Sequence, residues 1–412
     1  MEKNSDNTYD IIIVGAGPAG SAAGLYASQY GLKILLVDKE RFPRDKICGD
    51  ALSGKSVAIL RELNLLEKTQ NLPGTLIQSI VFSSPDHATF QIDLSTTSLK
   101  NIAKGFVIRR KNFDSFLFNE AKKVVTTTLE NFTVTDLIVQ DGYVKGVKGT
   151  EKGNNKELYF YSSLVFGADG YKSIVARKLD LYDHDPKHWV VALRCYYKNV
   201  AGLTNQIELH YVDKVIPGYF WIFPLENGFA NVGIGMLHEY IKRQNVDLKK
   251  SLEETIASTY FRDRFKAAEA LEKPIGWNLP VGSKRRKSHG DGFLLLGDAA
   301  GLIDPFTGEG IGNAMYSAKF AVKTAVEAIS RNDFSQKVLS KYEDELWKEI
   351  GDELRVSSKL QKLGRSRYLL NLVIRKAAKS KEVSNLIAGM LTNEVPRNRL
   401  ANPLFYLRLL MR

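Results

Sequence analysis

The stretch Tyr9-Asp10-Ile11-Ile12-Ile13-Val14-Gly15-Ala16-Gly17-Pro18-Ala19-Gly20 decides how this chain folds. In it an apolar run of strand length breaks into GxGxxG and passes directly into the Ala-rich, helix-forming stretch Ser21 to Tyr30. Gly15 allows the tight turn, Gly17 lets the backbone approach a pyrophosphate, and Gly20 lets the helix lie close against the strand. The helix N-terminus then presents its N–H groups to phosphates. A second apolar strand, Ile34-Leu35-Leu36-Val37, ends at Asp38. That acid falls about twenty residues past the glycines, where a carboxylate can accept from ribose hydroxyls. A lone GxGxxG is only a glycine-rich turn, but strand, helix, second strand and acid in this order form a dinucleotide site. The fold class follows as α/β, with a Rossmann-like parallel sheet and helices packed on it.

Which dinucleotide is bound depends on residues far downstream. Gly292-Phe293-Leu294-Leu295-Leu296 reads as a buried strand that ends in Gly297-Asp298-Ala299-Ala300-Gly301, followed by Asp304-Pro305 and Gly308-Glu309-Gly310-Ile311. Asp298, at the end of the strand, can hold a ribityl hydroxyl, while Gly308 to Ile311 start another helix beside a flavin ring. A site for NAD alone has no need of this second element. Between the two ends, Leu164-Val165-Phe166-Gly167-Ala168-Asp169-Gly170, with Ser173 and Arg177 following, again delivers a Gly-flanked Asp from a strand into a loop. A further segment, Arg110-Lys111-Asn112-Phe113-Asp114-Ser115-Phe116-Leu117, places an Arg at the start of a helix with apolar residues at helical spacing.

These segments resemble the FAD-dependent oxidoreductases of the para-hydroxybenzoate hydroxylase superfamily, which share GxGxxG, an Arg before FDxxL, a DG motif and a GD motif in this order. The resemblance covers about residues 8 to 330. It implies that Gly15, Gly17, Gly20, Asp38, Arg110, Asp169, Gly297 and Asp298 contact FAD. Pro18, Ala19, Lys39, Lys46, Cys48, Gly49, Gly170, Pro305, Gly308, Gly310 and Ile311 complete the expected cofactor set. It also implies a transient reductant, NAD(P)H or a protein electron donor, that docks without a Rossmann domain of its own. In keeping with this, no second GxGxxG follows a strand downstream.

Two further motifs narrow the family. Pro43-Arg44-Asp45-Lys46-Ile47-Cys48-Gly49-Asp50 is similar to the PxxKxCG motif of the geranylgeranyl reductases, and Gly218-Tyr219-Phe220-Trp221-Ile222-Phe223-Pro224-Leu225 to their YxWxFP motif. Together with GDAAGxxDPxxGEGI, the chain is identified as a member of that family or of its close bacterial relatives. The resemblance implies reduction of isolated carbon–carbon double bonds in a polyprenyl lipid or quinone side chain. It leaves the particular substrate open.

The candidate catalytic residues are Cys48, Tyr219 and Trp221. Cys48 would border the flavin, where a thiol orients the prenyl chain or supplies a proton; the alternative is a small residue fitting a crowded loop. Tyr219 and Trp221 lie two apart on a strand and face one side, where they line an apolar tunnel or fill the sheet core. An isolated alkene is a poor hydride acceptor, so proximity and water exclusion are the protein's main expected contributions. Two rival functions stand beside the reductase. One is a flavin monooxygenase or halogenase, to whose WxWxIP motif the Tyr219 to Pro224 stretch is only distantly similar. The other is a non-catalytic prenyl-lipid-binding module, against which the intact Gly17, Asp169 and Asp298 speak.

The chain has 412 residues, more than a single core usually serves, so two interlocked domains are expected. Residues 1–75, 105–185 and 275–332 form the FAD-binding domain with a three-stranded crossover, and 76–104 and 186–274 an inserted antiparallel substrate sheet. Within that sheet Ile77 to Leu94 reads as a strand pair turned at Ser84-Pro85-Asp86, and Leu248 to Leu271 as a helix. Residues 333–412 are a basic helical segment. Two cysteines, Cys48 and Cys195, make no disulfide framework, and the polar stretch Met1 to Asn7 is not a signal peptide. A cytoplasmic enzyme is therefore expected. Of the six histidines, His184 and His188 have helical ligand spacing, but Pro186 between them argues for a turn, and no metal site is expected.

The charge is not evenly spread. From Arg355 to Arg412 there are thirteen Lys or Arg against two acids, a net of +11 where the whole chain carries +12. Apolar clusters, Tyr368-Leu369-Leu370, Leu372-Val373-Ile374, Leu404-Phe405-Tyr406-Leu407 and Leu409-Leu410-Met411, are interleaved with these charges. Such short basic, apolar helices suit peripheral docking on the anionic inner face of a membrane. The alternative is a solvated cap whose apolar side covers the substrate sheet. No nucleic-acid recognition motif accompanies the charge, so nucleic acid is not an expected partner.

Overall fold

Ile11-Ile12-Ile13-Val14 and Ile34-Leu35-Leu36-Val37 are buried at every position, the pattern of strands covered on both faces. The computed structural model describes residues 7–94, 105–154, 156–381, 383, 384 and 387. These two strands lie inside a sheet ordered His289–Gly290, Phe293–Leu295, Glu157–Gly167, Thr8–Val14, Ile34–Val37, Thr127–Leu129. All pairs from Phe293–Leu295 to Thr127–Leu129 are parallel. The hairpin of Phe132–Gln140 and Tyr143–Glu151 pairs antiparallel with the first half of Glu157–Gly167, which makes the three-stranded crossover. Helix Pro18–Ser28 packs on helix Ile311–Arg331, with Gly54–Glu62, Arg110–Lys122 and Gln336–Leu363 around them. Phe113, Leu117, Met315, Ala318, Tyr342 and Leu346 are wholly buried in this core.

A second sheet runs Glu269–Ala270, Trp189–Lys198, Phe229–Leu237, Tyr219–Pro224, Gln206–His210, Ser79–Ser83, Thr89–Asp93. Its strands alternate sides with period two. Phe220 and Ile222 join Val232, Ile234, Leu248, Leu252 and Phe265 in one cluster. Tyr219, Trp221 and Phe223 join Tyr196, Ala192, Val107 and Ile77 in another. A small sheet of Ala51–Leu52, Phe106–Val107 and Thr75–Leu76 carries the chain between the two large ones.

Three expectations need correction. The second sheet is not wholly antiparallel, since Ser79–Ser83 lies parallel to Gln206–His210. The chain runs back through the first sheet between these strands, so a long crossover joins them where a hairpin would have made them antiparallel. Ile275–Pro280, expected to return to the flavin-binding part, pairs antiparallel with Trp189–Lys198 of the second sheet. Leu248 to Leu271 is not one helix but Leu248–Ile256, the short Arg262–Phe265 and the edge strand Glu269–Ala270. The break turns both Phe261 and Phe265 onto the back of the second sheet.

The helix Arg367–Lys379 lays Leu370, Val373, Ile374 and Ala377 over Phe82, Phe90 and Ile92 of the outer strands. Part of the apolar cluster from Tyr368 to Ile374 thus covers the second sheet, although Tyr368 itself is exposed. The clusters Leu404 to Leu407 and Leu409 to Met411, with Arg397, Arg399, Arg408 and Arg412, lie outside the described residues. Among the described residues no helix is long and apolar enough to cross a membrane.

Candidate active site

The glycine turn is built by close backbone approach. Gly15 has φ +98°, and a Cβ there would stand 2.5 Å from the Ala168 carbonyl oxygen; one at Gly20 would stand 1.8 Å from the Gly15 carbonyl oxygen. At Gly17 the nearest atom to an added Cβ is Arg44 Nη2 at 3.6 Å, so the space in front of the helix is nearly open. Helix Pro18–Ser28, whose first residues include Ala19, begins with no side-chain cap and no acid in its first turn. Its leading N–H groups are therefore left for an anion. Asp38 accepts from Ala16 N at 2.8 Å and Glu40 N at 2.9 Å, so it also pins the turn. Burial raises its pKa. Lys39 beside it is exposed.

The two distal acids meet this turn from other strands. Asp169 accepts from Ile174 N at 2.6 Å through Oδ2, while its buried Oδ1 has no partner. Burial raises its pKa. Gly170 after it, at φ +77°, has nothing within 4 Å of an added Cβ. Gly297, also left-handed, would place a Cβ 3.0 Å from Ala314 and 3.4 Å from Ala19, so the distal glycine motif touches the first helix here. Asp298 Oδ2 pairs with Lys46 Nζ at 3.2 Å, and its Oδ1 lies 3.8 Å from where a Cβ on Gly310 would stand. Ile311 opens the next helix and is buried. In the intervening loop, Asp304 holds Phe306 N and Thr307 N, Ser357 Oγ donates to Asp304, and Gln361 Nε2 donates to the Pro305 carbonyl.

The loop Pro43 to Asp50 is held by tertiary contacts. Arg44 pairs with Asp114 at 2.7 Å, Asp45 with Arg194 at 2.7 Å and Lys46 with Asp298. Arg110, expected at the cofactor, gives Nε and Nη2 to Asp114 at 2.6 and 2.7 Å and lies against the Cys48 thiol. Buried to 2 % exposure, it anchors the Cys48 loop. Burial pushes the Cys48 thiol pKa up, against the pull of the Arg110 charge, so the group is a neutral thiol at physiological pH. A Cβ on Gly49 would lie 3.1 Å from the Phe223 ring.

The strand Tyr219–Pro224 faces this loop. Tyr219 Oη donates to the Thr307 carbonyl at 2.7 Å and stands 3.0 Å from a would-be Cβ on Gly308. Burial raises the Tyr219 pKa far above the ordinary phenol value. The rings of Tyr219, Trp221 and Phe223 follow one another at 6.1 and 6.2 Å. The row runs from the Thr307-Gly308 loop to Gly49, and so bridges two loops that both start in the first sheet's half of the molecule.

Several residues of this region were not singled out by the sequence reading. Asp50 is wholly buried with φ +66° and accepts from Tyr196 Oη, Asn231 Nδ2 and Arg110 N. Burial pushes its carboxyl up to about 6, against the opposing hydrogen bonds from Asn231 and Tyr196. Arg194, 1 % exposed, binds Asp45 and Glu272 and stacks 3.8 Å over the Tyr196 ring. Polar Arg194 and Asn231 in otherwise apolar strands were the signal available. Their partners were not.

The histidines are occupied elsewhere: His188 Nδ1 lies 2.7 Å from Ser283 Oγ, and His184 packs against Trp189 at 4.6 Å. Among the described residues no group of three His, Cys, Asp or Glu is placed to hold a metal ion.

An uncapped helix N-terminus, open space at Gly17 and Gly170, and an unpartnered Asp169 Oδ1 together fit a dinucleotide laid across the ends of the parallel strands. Residues 8–348 match the family described as "FAD binding domain", and FAD is the cofactor that this class of oxidoreductase carries. The chain is 31% identical over 349 residues to digeranylgeranylglycerophospholipid reductase 1 of Methanococcoides burtonii, covering 84% of this chain and 81% of that protein. It is similar in structure to a geranylgeranyl bacteriochlorophyll reductase-like protein of Thermoplasma acidophilum. The TM-score is 0.82 at 26% identity, over 93% of this chain and 96% of that one. A flavin-dependent brominase shares the fold at TM-score 0.76 and 21% identity, over 93% and 95% of the two chains. The chain belongs to the geranylgeranyl reductase family of FAD-dependent oxidoreductases.

Proposed function

We propose that this protein reduces isolated double bonds of a polyprenyl lipid, with NAD(P)H or a protein electron donor as the transient reductant. The observation that carries the reading is the aromatic row Tyr219, Trp221, Phe223, which lies between the Cys48 loop and the Thr307-Gly308 loop. The glycine turn, Asp38, Asp169, Gly297 and Asp298 would hold FAD, which supplies the hydride that an isolated alkene needs. The chain's own residues supply the rest. The aromatic row would offer an apolar wall for a prenyl chain and exclude water, and the neutral Cys48 thiol would orient the alkene or give it a proton. In this reading the first sheet's layers hold the cofactor and the second sheet shapes the prenyl site.

The test is anaerobic reoxidation of the reduced protein with a panel of polyprenyl lipids. Alkene-dependent reoxidation is expected. Turnover that instead requires O2 would make the protein an oxygenase or halogenase, and a protein isolated without flavin would make it a lipid binder.

We infer further that the enzyme is cytoplasmic and that its basic C-terminal part meets the inner face of an anionic membrane. Arg375 and Arg367 are engaged by Asp86 and Asp213, but the exposed Lys379 and Lys381 and the half-buried Lys376 are not paired among the described residues. Lys348, Lys359 and Lys362, also without acidic partners among the described residues, line a groove of about 510 Å³ beside Gly282 and Ser283. Each basic residue near such a surface contributes roughly 1 kcal/mol. Replacing Lys376, Lys379 and Lys381 by Gln should weaken sedimentation with anionic vesicles and leave FAD content intact. Equal binding to neutral and anionic vesicles would reject the docking and leave the segment as a cap.

A further inference from the structure

Two motifs far apart in sequence, the Pro43 to Asp50 loop and the strand Tyr219–Pro224, are tied by one side chain that belongs to neither. Asn231 is wholly buried on the strand Phe229–Leu237. Its Oδ1 accepts from Trp221 Nε1 at 2.9 Å, and its Nδ2 donates to the Cys48 carbonyl oxygen and to Asp50 Oδ2, each at 2.8 Å. A carboxamide has an acceptor end and a donor end at a fixed separation. Used at both ends, it sets where the indole stands relative to the Cys48 backbone.

The surroundings leave each partner little freedom. Tyr196 Oη donates to Asp50 Oδ2 at 2.8 Å and Arg110 N to Oδ1 at 3.2 Å. Gly233 is the cross-strand partner of Trp221, and a Cβ there would lie 2.1 Å from indole Cζ2, so the ring rests on bare backbone. A purely apolar residue would pack against Trp221 as well as Asn231 does. What Asn231 adds is registry between the indole and the thiol-bearing loop.

We propose that Asn231 is a positioning residue that fixes the gap between Cys48 and the Trp221 ring, and thereby selects which double bond of a prenyl chain is presented for reduction. The selection rests on the alkene-reducing function proposed above. The registry does not.

Three variants test it. Asn231→Leu removes both ends of the clamp; Trp221→Phe removes the indole N–H but keeps an apolar ring. Asn231→Asp keeps the shape and the acceptor end but turns a second carboxyl toward Asp50. Three properties are read: FAD content, the rate at which maleimide alkylates Cys48, and the distribution of partly reduced products from a geranylgeranyl lipid. Cys195 is wholly buried and serves as the internal reference for alkylation.

Asn231→Leu is expected to keep FAD, to speed Cys48 alkylation roughly tenfold, the scale of one lost buried hydrogen bond, and to change which double bonds remain. Combining it with Trp221→Phe should add little, because the two residues act as a unit. Around the new carboxyl of Asn231→Asp stand Asp50, Tyr196, Cys48 and the charges of Arg110 and Arg194. Two facing carboxyls share one proton at low pH and repel when both ionise. A protonated carboxyl has one O–H where the amide has two N–H, so that variant should give a product pattern between wild type and Asn231→Leu at about pH 5 and the Asn231→Leu pattern at about pH 8. Wild-type alkylation and products in Asn231→Leu, or no pH dependence in Asn231→Asp, would overturn the proposal. If the wild-type protein reduces no prenyl double bond, the functional reading fails, while the alkylation rates still decide whether Asn231 holds the loop.

Discussion

The glycine turn at Gly15 to Gly20 and the loop from Pro43 to Asp50 both border the candidate cofactor site, yet they are held in opposite ways. The turn is fixed by backbone: Gly15 N donates to the Val37 carbonyl at 2.8 Å, Ala16 N reaches Asp38, and Gly20 admits the helix to the strand. The loop is fixed by five side chains from four other elements, Asp114, Arg110, Arg194, Asp298 and Asn231. A turn of the first kind should tolerate almost no added atom at its crossing point. A loop of the second kind should tolerate loss of a single small side chain, but respond to any change in the charges that hold it.

The largest effect is expected at the turn. Gly20→Val would drive a Cβ to within 1.8 Å of the Gly15 carbonyl, where nothing can move aside. Overpacking of this kind costs about 1–3 kcal/mol in ordinary cores, and more against backbone. The variant should be insoluble or isolated without flavin. Recovery of a folded, FAD-loaded protein would show that the turn is not a tight crossing.

The next effect lies in the loop. Asp50 carries a pKa of about 6 in the folded protein against an ordinary 3.8. The folded state therefore holds this proton more tightly than the unfolded chain does. Its contribution favours folding fully at pH below the ordinary value and is lost as pH rises toward the folded value, by about 3 kcal/mol in all. Urea denaturation of wild type and Asp50→Asn between about pH 4 and 7 should show this slope in the first and its loss in the second. Parallel curves would place the proton elsewhere.

A smaller change is expected where the two regions meet. Asp298→Ala removes a charge-assisted partner of Lys46 and the proposed partner of the cofactor. The loss is about 1.5–3 kcal/mol, or about ten- to a hundredfold in FAD affinity. Unchanged affinity, measured by flavin fluorescence on release, would remove Asp298 from the cofactor set. Least affected in stability should be Cys48→Ala, which takes one half-buried thiol from a loop whose other anchors remain. Folding and FAD content should stay close to wild type, while alkene reduction slows or its product pattern changes. Identical turnover and products would reduce Cys48 to a packing residue.

The same contrast explains how far the sequence could be read. Strand, turn, helix and second strand from Thr8 to Val37 were legible because a continuous apolar run, a glycine spacing and an Ala-rich stretch are each written in neighbouring residues. The pairing of Tyr219 with Trp221 on one face followed from the period of a strand alone. Arg110 illustrates the limit. Its place at the start of a helix was readable, but Asp114 one turn along and the Cys48 loop from another part of the chain claim its guanidinium.

The amino-acid sequence by itself determined the α/β class, the glycine crossing, the order of the motifs and the concentration of charge at the C-terminus, since each depends on residues within a few positions of one another. The tertiary structure alone decided that Ser79–Ser83 lies parallel to its neighbour, that Ile275–Pro280 joins the second sheet, and that the helix Arg367–Lys379 turns its apolar side onto that sheet. It alone brought Asn231 between Trp221 and Cys48. These depend on crossovers and on the register of distant strands, where a shift of one residue turns every side chain to the opposite face.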